Sequence, residues 1–292
     1  MFAEACGKAS EFSRPLVIST RRQDGTVVTE CATFIVLNRE GWVLTAGHTF
    51  DSFTKFQTDR KKAKEIEEIN RDRVSRPGSP NLPVKQDPSL ITHHSFWWGW
   101  DGVRMTKAHM YRAIDVAVVK LEPFNPDWVK CYPVLRDPAG LRPGTSLCRA
   151  GYAFMDLKSQ WDDEKKSFRI PRIPPDLLFF NEGMYTRTVG RGKSAKDGLT
   201  VSFVETSTPG FKGQSGGPIF DTEGRLCAMQ SRTDSFPLGF HPSIEYDGAT
   251  AVEHQFVNLG VGLHVGTIRQ ILDKHEVRYD AEGDESGYRI VG

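Results

Sequence analysis

Phe211-Lys212-Gly213-Gln214-Ser215-Gly216-Gly217-Pro218-Ile219 sets a serine among three glycines just ahead of an apolar, strand-like run. A serine hydroxyl is a weak nucleophile. To attack a carbonyl carbon it needs a base within hydrogen-bond reach and donors aimed at the oxyanion that develops. Gly213, two residues before the serine, opens a backbone conformation closed to other residues. The N–H groups of Gly213 and Ser215 can then face one small space and form an oxyanion hole. Gly216 and Gly217 are expected to keep side chains clear of an approaching substrate backbone. A glycine-rich turn with an incidental serine would read the same way from this stretch alone.

Two further stretches narrow the choice. Gly41-Trp42-Val43-Leu44-Thr45-Ala46-Gly47-His48 is an apolar strand that ends in small residues and a histidine. Ile114-Asp115-Val116-Ala117-Val118-Val119-Lys120-Leu121 is a β-branched strand with a carboxylate at its start. Together with Ser215 they give the order His, Asp, Ser. Asp101 is the nearest rival carboxylate, but it lies in a glycine- and tryptophan-rich turn with no β-branched run behind it.

At this point the sequence resembles the chymotrypsin/trypsin superfamily of serine proteases. Its T-A-x-H, D-[IV]-A-[VL]-[VL] and G-x-S-G-G-P motifs occur here in order. The resemblance spans about residues 27 to 275, with two long segments that do not match. Gln214, Asp115-Val116-Ala117 and the lack of paired cysteines are closer to the bacterial HtrA-type branch. The resemblance implies an all-β fold: two packed six-stranded antiparallel β-barrels with a C-terminal α-helix and helical or loop insertions. It also implies a serine endopeptidase working through an acyl-enzyme. In that scheme His48 takes the proton from Ser215, Asp115 holds the imidazole tautomer, and the Gly213 and Ser215 N–H groups bind the oxyanion.

Length and composition bound the rest. A chain of 292 residues buries ample apolar surface as one large all-β unit or two half-size barrels. A net charge of +1 gives no electrostatic footprint for nucleic acid or anionic membrane. No apolar run approaches the length of a membrane span, and the N-terminus lacks a basic segment followed by an apolar one, so no secretory signal is expected. Cys6, Cys31, Cys131, Cys148 and Cys227 are odd in number and far apart, and no Cys-x-x-Cys spacing supports zinc. In the secreted branch a cysteine before the histidine strand bridges to one directly after the histidine; Cys31 matches the first, but Thr49 takes the second place. The five are read as reduced, in a cytoplasmic protein that needs no cofactor.

Along the chain, residues 1–13 read as a poorly ordered or partner-dependent extension. Residues 14–135 form the first barrel with an insertion at 51–110, and 136–277 the second with an insertion at 153–182. Residues 278–292 form an acidic tail. Lys55 to Arg73 reads as a solvated helix with a narrow apolar edge including Ile66 and Ile69. His93 and His94 point to opposite faces of a strand and cannot easily share a metal. The closing helix covers about Val265 to His275.

For substrate, the resemblance implies an extended peptide added as a strand along Gln230-Ser231-Arg232. It places the reader of the substrate side chain six positions before the serine, at Pro209, followed by Gly210. Neither carries charge, so selection of Arg or Lys is not expected. Pro209, Gly210, Gln230, Gly260 and Gly262 are the expected pocket walls, the glycines leaving room and Gln230 offering an amide. In the picornavirus-type branch a histidine selects glutamine, one strand earlier, where Gln230 stands here; His264 is therefore read as a packing residue. Gln214 offers no charge to a freed N-terminal ammonium, so activation by zymogen cleavage is not expected. A regulatory protein partner acting through the insertions remains compatible with the chain, as does a non-catalytic binding module of the same fold.

Overall fold

The computed structural model describes residues 1–74, 83–174, 177–194, 197–240, 242–246, 249–252 and 254–284. The first thirteen residues are not a loose extension. Helix α1 (Ala3–Phe12) buries Ala5, Ala9 and Phe12, which recur at helical spacing on one face. The ring of Phe2 meets Phe220 edge-on at 6.3 Å, and Lys8 Nζ donates to the Glu223 carbonyl. The helix thus lies against the second barrel.

The first barrel is a six-stranded antiparallel sheet. Its members are β1 (Ser13–Arg22), β2 (Val27–Val36), β3 (Trp42–Thr45), β4 (Ile91–Trp97), β5 (Arg104–Tyr111) and β6 (Val116–Glu122), in the order β4-β1-β2-β3-β6-β5. The Asn38 side chain makes the β2–β3 turn by accepting from Glu40 N and Trp42 N. Because β4 and β5 belong to the sheet, the expected insertion at 51–110 shrinks to the segment before Ile91. Its main feature is helix α2 (Asp51–Val74). Ile69 is exposed; the helix is held instead at its start, where Phe53 and Phe56 meet His94 and Phe53 meets Phe96. Buried Asp59 accepts from Ile91 N at 2.8 Å. His94 thus lies among aromatic rings while the His93 ring meets Trp161 at 4.2 Å, tilted by 45°, on the other face.

The second barrel uses β7 (Val134–Leu135), β8 (Ser146–Gly151), a small hairpin of β9 (Gln160–Asp162) and β10 (Ser167–Arg169), then β11 (Phe179–Lys193), β12 (Thr200–Thr206), β13 (Pro218–Phe220) and β14 (Leu226–Pro237). The hairpin β15 (Ser243–Tyr246) and β16 (Ala249–Val252) precedes β17 (Phe256–His264). Six of these strands run β13-β8-β11-β12-β17-β14, and the β13–β14 pairing closes the ring. β11 begins at Phe179, so the expected insertion at 153–182 ends before it. Helix α3 (Val265–Lys274) closes the fold with Val265, Ile268, Ile271 and Leu272 buried. The acidic tail is a packed segment at least to Asp284: β18 (Asp280–Ala281) pairs parallel with β7, and Glu282 pairs with Arg225. Residues 285–292 of that expected tail lie outside the described residues. No described helix is long and apolar enough to cross a membrane.

Candidate active site

His48 sits in a one-turn 3₁₀ segment, Gly47–Phe50, directly after β3. Thr49 ties that turn back by donating its hydroxyl to the Ala46 carbonyl at 2.7 Å. A side chain at Gly47 would come within 3.0 Å of Val116 N, so the glycine lets the histidine turn approach the start of β6. Asp115 occupies that start with φ of +55°, a left-handed conformation that aspartate tolerates better than most residues. This geometry turns its carboxylate onto the histidine. His48 N donates to Asp115 Oδ1 at 2.8 Å, and His48 Nδ1 lies 3.0 Å from both carboxylate oxygens. Asp101 plays no part; it accepts from Trp97 Nε1 in its own turn.

Ser231 completes the group. Its hydroxyl donates to Asp115 Oδ2 at 2.5 Å. The hydrogen bond that His48 gives to Asp115 raises the His48 pKa above its ordinary value, opposed by burial and helped by the carboxylate charge. Burial pushes the Asp115 carboxyl up, but the hydrogen bond and charge of His48, then the Ser231 hydroxyl, outweigh it and hold the carboxyl below its usual range. An ionised carboxylate thus holds one ring nitrogen of an exposed imidazole, leaving the other free for proton transfer.

The serine turn is fastened to both barrels. Gly213 has φ of +100°, and a Cβ there would stand 2.0 Å from the Tyr152 carbonyl oxygen, so no other residue fits. Thr33 of β2 donates its hydroxyl to Gly213 O at 2.7 Å and its N–H to Ser215 O at 2.9 Å. The N–H groups of Gln214, Gly216 and Gly217 all reach backbone acceptors, at Phe211, Gln230 and Gln214. Among the described residues none accepts from the N–H of Gly213 or Ser215, the two groups expected to line the oxyanion hole. Gly216 and Gly217 serve a different purpose from the one expected. A Cβ on Gly216 would meet Thr33 O at 2.2 Å, and one on Gly217 would meet Ala150 O at 2.1 Å. Close packing of the protein's own backbone excludes side chains at both.

Two residues with a part in this arrangement escaped the sequence reading. The buried Gln214 side chain donates to Asn181 Oδ1 at 2.8 Å and accepts from Phe211 N at 2.9 Å. Asn181 lies far off in sequence, on β11, and carries no motif. Thr33 likewise gave no signal beyond a β-rich run.

His48, Asp115, Ser231 and Arg232 line one cleft of about 380 Å³ with Arg112 and Phe203. No hydrogen bond joins Ser215 to His48 among the described residues, and such catalytic contacts tighten when substrate binds. The expected specificity walls are brought together but not as an open slot. A Cβ on Gly210 would collide with the Gln230 amide at 2.2 Å, and one on Gly260 with Arg149 Nη2 at 2.3 Å. The Thr233 hydroxyl accepts from Gly210 N and donates to Gly210 O, clasping the two walls. A Cβ on Gly262 would come within 2.6 Å of Ile219 Cδ1, so this glycine makes room for the protein's own packing. The room that glycines were expected to leave is filled by Gln230 and Arg149. His264 caps α3 by accepting from Gly266 N at 2.9 Å.

Double β-barrels with a histidine and an aspartate on the first barrel and a glycine-flanked serine on the second define the trypsin-like serine proteases. A sequence model of the trypsin-like peptidase domain matches residues 32–229, more than half of the chain and the span that holds His48, Asp115 and Ser215. The chain belongs to that family. No curated protein matches it in sequence. Among solved structures it is similar to the HtrA-type protease AlgW with tripeptide, at 13% identity and TM-score 0.47, covering 94% of this chain and 64% of that one. It is also similar to the Rv3671c protease from M. tuberculosis, active form, at 10% identity and TM-score 0.48, covering 92% of this chain and 83% of that one. The chain thus spans less than two thirds of the AlgW chain's length.

Proposed function

We propose that this protein is an endopeptidase that cleaves extended peptide segments through an acyl-enzyme on Ser215. His48 acts as general base and then general acid, Asp115 fixes its tautomer, and the Gly213 and Ser215 N–H groups stabilise the oxyanion. The observation that carries this reading is the chain of bonds from Ser231 through Asp115 to His48 Nδ1, which leaves Nε2 to serve the serine. A substrate strand would lie along Ser231 and Arg232, with its scissile carbonyl at the serine turn. The same proposal includes a cytoplasmic, bacterial setting and control by a protein partner. Burial pushes the thiols of Cys31, Cys148 and Cys227 up to about 12, which supports reading these cysteines as structural and reduced.

The deciding experiment is labelling with a fluorophosphonate, with Ser215→Ala as control. Labelling of the wild type alone supports the proposal. A folded wild type that takes no label would make this chain a non-catalytic binding module.

A further inference from the structure

Arg149 is 2% exposed, yet its guanidinium has only neutral partners. Nη1 donates to Thr208 O and Pro209 O, at 3.2 and 2.6 Å, and Nη2 donates to Thr206 Oγ1. Nε has no partner. Three hydrogen bonds for five donors leave capacity, and among the described residues no carboxylate balances the charge. A sealed cation without a counter-charge is costly, and here it stands directly under the residues expected to read the substrate.

The neighbouring groups share its polarity. Gln230 is also 2% exposed, and its Oε1 has no partner, while its Nε2 donates to Arg232 O at 2.8 Å. Thr233 spends its hydroxyl on Gly210. A guanidinium, a primary amide and a hydroxyl therefore converge around Pro209, Gly210 and Gly260. The spare Arg149 donors suit an anion at the floor, and along the wall Gln230 keeps one Nε2–H to give while its unpartnered Oε1 suits a donor.

We propose that this closed polar cluster, opened by the substrate itself, selects peptides with an acidic side chain, glutamate first, on the residue whose carbonyl carbon Ser215 attacks. The inference rests on the serine-endopeptidase reading and deepens it. The entering carboxylate parts Thr233 from Gly210, takes donors from the Thr233 hydroxyl and the Gln230 amide, and neutralises Arg149. Glutamate is favoured over aspartate because Arg149 bonds to Thr208 and Pro209, deeper than the Gly210–Thr233 clasp, and the longer side chain reaches it. A lysine or arginine side chain would meet a like charge. An apolar one would leave the guanidinium unbalanced and displace its polar neighbours for nothing. Arginine's planar fork matches a carboxylate in a way lysine does not.

The test compares rates of Ser215 modification by peptidyl aryl phosphonates that differ only at the residue next to the phosphorus: Glu, Asp, Ala, Phe or Lys. We expect the glutamate probe to react at least about tenfold faster than the alanine probe, as one charge-assisted pair allows. In Arg149→Met the glutamate-to-alanine ratio should fall about tenfold or more, with partial recovery in Arg149→Lys. If Arg149→Met fails to fold, Thr233→Val provides the second reading, again as a lowered ratio. A wild type that reacts fastest with Ala, Phe or Lys, or equally with all, overturns the inference while leaving the serine protease intact. A wild type that a plain fluorophosphonate does not label removes both.

Discussion

The Gln214 amide donates to Asn181 Oδ1 across 2.8 Å in the protein interior, one residue from the nucleophile. Gln214 is the residue between the two proposed oxyanion donors, so whatever holds its side chain holds the peptide that carries them. An internal amide pair does here what a buried ion pair could do, with no charge to be supplied by chain cleavage. Replacing Asn181 by Ala leaves the Gln214 amide without its main acceptor, a loss of about 1–3 kcal/mol. The melting temperature should drop, and turnover should fall more than substrate affinity, because the donors act on the transition state. Asn181→Asp, which keeps an acceptor, should recover part of both. Peptide-hydrolysis kinetics with thermal melts decides this; an Asn181→Ala enzyme with wild-type kcat would contradict it.

Ser215→Ala, His48→Ala and Asp115→Ala should each lower peptide hydrolysis by about three to six orders of magnitude. The circular dichroism spectrum should be unchanged, since none of the three is part of the apolar core. Near-wild-type turnover in His48→Ala would remove the assignment of the base.

The pH profile follows from the shifts. His48 must be neutral to accept the serine proton, and its pKa is raised above the ordinary value by Asp115. The rate kcat/KM should therefore be high above that raised pKa and fall as pH drops through it, at a pH above about 6.5. Asp115→Asn should cut kcat by about 10⁴, because an amide donates where the carboxylate accepts and imposes the wrong tautomer. An acid limb centred well below 6.5 in the wild type would contradict the raised His48 pKa.

Removing residues 1–12 should destabilise the protein without activating it. Ala5, Ala9 and Phe12 are buried, and replacing Phe12 by Ala alone should cost about 3–5 kcal/mol. Denaturant unfolding measures the loss. Activity that appears only after N-terminal trimming would refute this account, since it would make α1 an inhibitory segment.

Much of the site was legible because its chemistry constrains short stretches. A nucleophile needs small neighbours at Gly213, a base needs a strand exit at His48, and a carboxylate must begin a strand at Asp115. Each requirement leaves a local pattern, and three patterns in order determined the fold class, the family resemblance and the proposed triad from the sequence by itself. The closing helix was legible too, from the spacing of Val265, Ile268, Ile271 and Leu272. Element boundaries were less so. Phe179 to Glu182 lacked a strand signature until β8 paired with them, and Ala5, Ala9 and Phe12 form a face that matters only once a barrel lies beneath it. Tertiary structure alone decided the contacts between distant positions. Thr33 and Asn181 reach the serine turn from other strands, Ser231 reaches Asp115 across the barrels, and Arg149 fills space that Gly260 was expected to leave open. Such residues carry no pattern in the chain, because a hydrogen bond or a steric exclusion depends on where strands meet in space, and that meeting is set by the whole sheet.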